Sequence, residues 1–266
     1  MSIGFFGCSF TAGGGLNSPI FVDYAIRNNM MDIDDLDDEV EIWGLTEKQS
    51  YIKNGKNHGG LFPYVSEKFC YPTLVGKKLN CDIVNYANGA SGNEHIFNLL
   101  YENYTKHDIC VVQFSFYHRM YIYDSNTKKH YDVHGTENQS SPPEVVDYFK
   151  KSYTEFYDKE YEKKKINMMV NLFDSLNKKI YWMFHDVIPI ELVDNKNVIY
   201  FPILEENTKT EYRIPGVSHF NDCLTYFTEH FGLILSEETK GEYKDNHYSI
   251  KGHQIIAEKV IEKINE

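Results

Sequence analysis

Short apolar runs alternate with longer amphipathic stretches along most of this chain. Five runs, at residues 3–8, 82–86, 109–115, 179–184 and 197–201, are rich in β-branched and aromatic residues and lack a clean apolar/polar alternation. That pattern predicts strands covered on both faces. Between the runs, apolar residues recur at helical spacing over 71–79, 93–104, about 144–176 and 249–264. In the last of these Ile255, Ile256, Val260, Ile261 and Ile264 share one face. Strand–helix alternation of this kind implies a parallel sheet with right-handed crossovers. The expected fold is therefore α/β, a three-layer α/β/α domain around a five-stranded parallel sheet of flavodoxin-like order.

Two segments exceed a minimal α/β unit, at about 17–70 and 125–143. The first carries the acidic run of residues 32–39 and a Gly/Asn/His-rich turn at 54–60. A connection that long is usually functional, so a lid or substrate loop is expected. The second is polar and turn-rich and predicts a surface loop. No repeat, low-complexity tract or linker divides the chain, so one domain over 1–266 with two insertions is the simplest account.

Composition narrows the function classes. The chain has 266 residues, 42% of them hydrophobic and 15% aromatic, enough to bury a core and too apolar for a disordered protein. It carries 39 acidic residues against 27 basic ones and a net charge of −12, which disfavours nucleic acid as a partner. The densest basic run, Lys163-Lys164-Lys165, lies beside Glu160 and Glu162. All the basic residues but Arg27, Arg119 and Arg213 are lysine, a bias that with abundant Asn, Tyr and Ile points to an AT-rich genome, viral ones included. No stretch approaches the roughly 20 apolar residues of a membrane span, and the first residues lack the pattern of an export leader. A cytoplasmic protein without a membrane partner is expected. The five cysteines, Cys8, Cys70, Cys81, Cys110 and Cys223, form no C-x-x-C pair, and the three in or beside apolar runs read as small core residues.

The candidate chemistry sits at the two ends. The first strand runs into Gly7-Cys8-Ser9-Phe10-Thr11-Ala12-Gly13-Gly14-Gly15, placing Ser9 where open α/β sheets bind their ligands. The spacing fits neither a dinucleotide loop nor a P-loop, since Leu16-Asn17 stands where Lys-Ser/Thr would be needed. Near the other end, Asp245-Asn246-His247 lies just before the final helix, which Ser249 can cap. A carboxylate two residues from an imidazole can hold one ring nitrogen as N–H and leave the other to act as a base.

Taken together, the ends resemble the SGNH (GDSL-type) hydrolase family, in a divergent G-C-S-F-T branch. The family's first block, G-D-S-x-T/S, is matched by Gly7-Cys8-Ser9-Phe10-Thr11, with Cys8 replacing Asp. Its last block, D-x-(x-)H before a helix, is matched by Asp245-Asn246-His247, with Gly252-His253 downstream. The oxyanion glycine of the second block falls within residues 85–93, and the N-x-x-x-S-G spacing maps it to Gly92 ahead of Gly89. The likeness spans the chain through short motifs and leaves the two insertions outside it. It implies a Ser9–His247–Asp245 triad, an oxyanion hole from the Ser9 and Gly92 N–H groups, and no metal or organic cofactor. The implied reaction is hydrolysis of a small acyl ester such as acetate, on a carbohydrate. Acyl transfer to a sugar, or a non-catalytic binding or structural role on the same scaffold, are the alternatives.

One block departs from the family. Where G-x-N-D would supply an asparagine donor, the chain reads Gln113-Phe114-Ser115-Phe116-Tyr117-His118-Arg119. Ser115 and Asn93 are the two candidates for that third donor. Arg119 and Tyr117 are candidate substrate-binding residues, Arg119 toward either an anionic substrate group or an acidic loop. His253 is a second candidate base, ranked behind His247 because the first helical turn points it away from a strand-exit serine. His185-Asp186 follows the fourth run and reads as structural ahead of lining the cleft. The acidic run lacks the D-x-D-x-D-G order of a calcium loop.

Overall fold

The computed structural model describes residues 1–41, 44–54, 62–117, 119–133, 142–156, 159–186, 188–201, 224, 228 and 231–266. They belong to two compact units, residues 1–9 with 81–227 and residues 10–80 with 228–266.

The first unit holds the sheet. Strands β1 (Ser2–Phe6), β2 (Asp82–Asn85), β3 (Ile109–Phe114) and β6 (Lys179–Phe184) pair in parallel in the order β2-β1-β3-β6. That is the flavodoxin-like order expected. The fifth run, at 197–201, departs from expectation and forms a single parallel bridge between Trp182 and Val198. Trp182 N–H donates to the Asn197 carbonyl at 2.9 Å and Ile199 N–H to the Trp182 carbonyl at 2.8 Å. Side-chain bonds hold the flanks of this segment in another shape: Asp174 gathers Trp182 Nε1, Asn195 and Asn197, and the Tyr200 hydroxyl turns back onto the carbonyls of Leu192 and Val193. The sheet therefore has four strands among the described residues.

One face of the sheet packs against helices Asn93–Asn103 and Lys159–Asp174. Ile96, Phe97, Leu100, Ile166, Val170 and Phe173 meet Cys110, Val112, Phe114, Ile180, Trp182 and Phe184 there. The opposite parity, including Ile3, Phe5, Val111 and Met183, is equally inaccessible to water. β2 is the exception: as an edge strand it has three of its four residues exposed, contrary to the reading of every run as covered on both sides. Gly4 leaves room for a neighbouring ring, since a Cβ there would sit 2.6 Å from His107 Cδ2.

Two further expectations change in this unit. The long helix expected over 144–176 is described as Pro143–Phe156 and Lys159–Asp174, with residues 157–158 outside the described set. The loop expected at 125–143 begins as a hairpin, β4 (Met120–Asp124) pairing antiparallel with β5 (Lys129–Val133). Asp124 makes the turn by accepting from the N–H groups of Asn126 and Thr127 and from the Thr127 hydroxyl, and Lys128 takes φ +58°. Residues 134–141 lie outside the described set.

The second unit is helical. The segment expected as a long lid or loop contains helices Pro19–Arg27, Glu47–Asn54 and Pro63–Phe69. Pro19 opens the first, which buries Phe21, Val22, Tyr24 and Ala25. Part of the acidic run forms a capped 3₁₀ turn, Ile33–Asp35, with Asp32 and Asp35 completing a capping box. Lys48 pairs with Asp34, and Lys68 pairs with Asp35 at 2.6 Å. These carboxylates are engaged by caps and lysines. The expected turn at 54–60 falls mostly outside the described residues, as do residues 42–43. Helices Tyr71–Leu79 and Ile250–Asn265 pack together, and Leu16, Phe21, Phe62, Val65, Leu235 and Ile250 form part of the unit's core.

Cys8, Cys70 and Cys110 are buried thiols and Cys81 is half-buried; Cys223 lies outside the described residues. No described helix is long and apolar enough to cross a membrane.

Candidate active site

In the first unit, the loops leaving β1, β2 and β3 are tied to one another. Ser9 lies three residues past β1 and is half-buried. Tyr86 N–H donates to the Phe5 carbonyl and Asn88 N–H to the Gly7 carbonyl, joining the β2 exit to the β1 exit. Gly92 is buried and is the N-cap of helix Asn93–Asn103. The positive end of an eleven-residue helix favours negative charge at that point. Gly89 is exposed, and a Cβ there would meet nothing within 4 Å, so Gly92 fits the oxyanion assignment better.

Asn93 clamps the β3 exit. Its Oδ1 accepts from Ser115 N–H at 2.8 Å, and its Nδ2 donates to the Ser115 carbonyl at 3.5 Å. The Asn93 amide is thus directed at the Ser115 backbone. The Ser115 side chain, 1% exposed, keeps a buried hydroxyl with no partner among the described residues. Of the two candidate third donors, Ser115 has the hydroxyl to offer and Asn93 positions it.

The two candidate substrate-binding residues separate clearly. Tyr117 is 2% exposed and belongs to the core cluster, which favours packing over a substrate-facing role. Arg119 is half-buried, with its guanidinium 5.3 Å above the Phe116 ring and Nη1 donating to the Ser91 carbonyl at 3.5 Å. His185 is buried edge-on against Phe116 and fits the structural reading.

In the second unit, the Asp245–His247 loop is zipped along its length. Ser236 N–H donates to the Asp245 carbonyl, Leu235 N–H to the His247 carbonyl, and Ser249 N–H to the Leu233 carbonyl. Ser249 caps the final helix by accepting from Gly252 N–H at 3.0 Å, as the sequence predicts. On this fixed backbone Asp245 Oδ1 accepts from His247 Nδ1 at 2.6 Å and from His247 N–H at 2.7 Å. The bond to Nδ1 assigns the proton to that nitrogen and puts the lone pair on Nε2, the tautomer a general base needs.

Tyr243 and Gly15 are functional neighbours that motif reading missed. The Tyr243 hydroxyl donates to Asp245 Oδ2 at 2.8 Å, so both carboxylate oxygens are held. Burial pushes the Asp245 carboxyl up, but the bonds from His247 and Tyr243 outweigh it and hold the group below its ordinary value. Burial, reinforced by the Asp245 charge, pushes the Tyr243 phenol up to about 12, so it remains a donor. No strand alternation signalled it: the segment turns locally, with Asp245 N–H donating back to the Tyr243 carbonyl at 3.1 Å. Gly15 has φ +83°, and a Cβ there would lie 2.4 Å from Leu235 Cδ1 and 3.1 Å from Asp245 Oδ2. Only glycine suits so close an approach to the carboxylate.

Phe10 packs on the base. Its ring centroid lies 4.4 Å from that of His247 and 5.0 Å from that of Tyr248. His253, by contrast, is fully buried, and its Nδ1 accepts from Tyr71 N–H at 3.2 Å. Burial pushes its imidazole down to about 3, which keeps it neutral and inside the core. That environment assigns His253 to packing and leaves His247 as the base candidate.

No protein-family model and no curated protein sequence matches the chain. Among solved structures, it is similar to the acetyl xylan esterase AlAXEase, with TM-score 0.43 and 11% identity over 99% of this chain and 100% of that one. It is also similar to the acetyl xylan esterase Est2A of the rumen bacterium Butyrivibrio proteoclasticus, with TM-score 0.38 and 11% identity over 99% and 63% of the two chains. A third is a G-D-S-L family putative lipolytic protein of Desulfitobacterium hafniense DCB-2, with TM-score 0.35, 9% identity and 98% of each chain covered. With every TM-score below 0.5, none of these likenesses assigns a family or an activity to the chain.

Proposed function

We propose that the chain is a serine esterase of the SGNH type that hydrolyses a small acyl ester, such as an acetyl group on a carbohydrate. The observation that carries this reading is the 2.6 Å bond of Asp245 Oδ1 to His247 Nδ1, which orients an imidazole as a general base must be oriented. It supports a triad of Ser9, His247 and Asp245 drawn from the two ends of the sequence.

In this mechanism His247 Nε2 takes the Ser9 hydroxyl proton as Oγ bonds to the ester carbonyl carbon. The carbonyl electrons move onto its oxygen, which accepts from the N–H groups of Ser9 and Gly92 and from the Ser115 hydroxyl. Collapse of the tetrahedral intermediate breaks the bond to the alcohol, which leaves with the proton from His247. Water then repeats the sequence on the acyl-enzyme, with His247 again as base. Asp245 fixes the ring and stabilises the imidazolium, and Tyr243 fixes Asp245.

The carbohydrate half of the proposal is supported by the β4–β5 hairpin. A cleft of about 420 Å³ there is lined by Tyr121, Tyr123 and Tyr148 together with Asn126 and Glu144. Tyr123 and Tyr148 are 51% and 58% exposed, and aromatic faces among polar groups suit a sugar ring.

Hydrolysis of p-nitrophenyl acetate tests the reading. Ser9→Ala is expected to reduce kcat at least 1,000-fold, on the order seen when a catalytic nucleophile is removed. A wild-type rate in that variant excludes Ser9 as nucleophile. Product analysis with a sugar acceptor present separates hydrolysis from acyl transfer.

A further inference from the structure

We propose that Arg119 recognises a carboxylate carried by the substrate, so that the preferred ester is an anionic one. The inference rests on the esterase reading and adds the charge of the substrate to it.

Arg119 follows the β3 exit by a few residues and is held there in three ways. Its N–H donates to the Phe116 carbonyl at 3.3 Å, its guanidinium lies over the Phe116 ring, and Nη1 reaches the Ser91 carbonyl. Ser91 directly precedes Gly92, the proposed oxyanion glycine, so the charge sits beside the loop where the ester carbonyl would bind. The chain has 39 acidic residues, yet no carboxylate pairs with Arg119 among the described residues. Its Nε is buried and has no acceptor among them.

A buried donor left without an acceptor is costly, and such groups in folded proteins call for a ligand or other partner. The Nε–Nη edge of a guanidinium presents two parallel N–H groups that match the two oxygens of a carboxylate. The Ser91 carbonyl contact engages only Nη1, and at 3.5 Å it is long. The cation–π contact with Phe116 holds the guanidinium near this position before substrate arrives. The carboxylate could belong to the acyl group or to the alcohol.

Three esters distinguish these sources: p-nitrophenyl acetate (neutral), p-nitrophenyl hydrogen succinate (carboxylate on the acyl group) and 4-acetoxybenzoate (carboxylate on the alcohol). With wild type, Arg119→Gln and Arg119→Lys, kcat/KM is measured for each. The glutamine variant is expected to lose about 10–100-fold more on one carboxylated ester than on the neutral one, chiefly through KM, with the lysine variant between. The ester that shows the excess loss identifies the side bearing the charge. Equal losses on all three esters would assign Arg119 a structural role and overturn the proposal, as would no loss on either carboxylated ester.

Calorimetric titration of Ser9→Ala with succinate and with benzoate reads the same site without turnover. Binding that disappears in Ser9→Ala/Arg119→Gln supports the carboxylate site, and absence of binding for both anions overturns it. If wild type cleaves none of the esters but an anion binds through Arg119, the esterase reading fails and the carboxylate site stands.

Discussion

The Asp245–His247 loop and the loops that leave β1, β2 and β3 are built in opposite ways. In the first, both carboxylate oxygens have donors, the imidazole tautomer is assigned, and the backbone is bonded to residues 233–236. In the second, the Ser115 hydroxyl and Arg119 Nε are buried without acceptors among the described residues. A satisfied network holds one geometry, which suits a group that must present the same nitrogen at every turnover. Buried donors without acceptors suit the place where a substrate brings its own oxygens. The first region is tied by its own hydrogen bonds; the second keeps two buried groups without partners among the described residues.

That contrast can be broken most severely at Asp245. Asp245→Asn keeps the shape of the side chain but loses the fixed tautomer, and kcat for p-nitrophenyl acetate is expected to fall about 10³–10⁴-fold. A loss below tenfold would mean that the loop does not orient a base. His253 sharpens the comparison through stability. Its folded pKa, pushed down to about 3 by burial, lies below the unfolded value of about 6.5. Above pH 6.5 both states are neutral there and no penalty exists. Below it the unfolded chain binds a proton that the folded chain refuses, so stability falls as pH drops toward 3. Between pH 7 and 4 that loss is of the order of 3 kcal/mol, and urea titrations of His253→Gln should show it removed.

Ser115 tests the unfinished region. Ser115→Ala should lower kcat about 10²-fold, as loss of one oxyanion donor does, while leaving Tm unchanged or higher because an unpaired buried hydroxyl has gone. A parallel fall in activity and Tm would instead make Ser115 a structural residue. The smallest effect is expected at Tyr243. Removing its hydroxyl leaves the Asp245–His247 bonds in place, so Tyr243→Phe should reduce kcat less than about tenfold. It should also bring the Asp245 carboxyl up toward its ordinary value. A depressed carboxyl contributes stability above its unfolded pKa of about 3.9 that is lost as pH falls through the folded value. Acid unfolding of the variant should therefore lose that contribution at a higher pH than wild type.

Much of this arrangement was legible in the sequence because it depends on local pattern. The apolar runs at 109–115 and 179–184 became buried neighbouring strands of the parallel sheet, and Ser249 became the helix cap. Polar elements were harder to read. Residues 17–70 were expected as a lid or substrate loop because the connection is long, whereas capping by Asp32 and lysine pairs let the segment fold into helices and turns. Lys129, His130 and Asp132 disguised the second hairpin strand, which pairs with Met120–Asp124. The run at 197–201 was apolar enough for a strand, but Asp174 and Tyr200 bonding limited it to one bridge.

At the candidate site, the serine and the Asp-x-His were visible as motifs, whereas Tyr243 meets Asp245 through a local turn that no motif marks. The isolation of Arg119 could not be read from the sequence. It depends on which of many carboxylates fold next to it, a property of tertiary packing.

The central claim is that Ser9 draws its reactivity from His247. Fluorophosphonate labelling, timed in wild type and His247→Ala and mapped to the modified residue by mass spectrometry, tests it most directly. The account predicts an adduct on Ser9 that forms at least 1,000-fold more slowly in the variant. An adduct on another residue, or equal labelling rates in the two proteins, would contradict it.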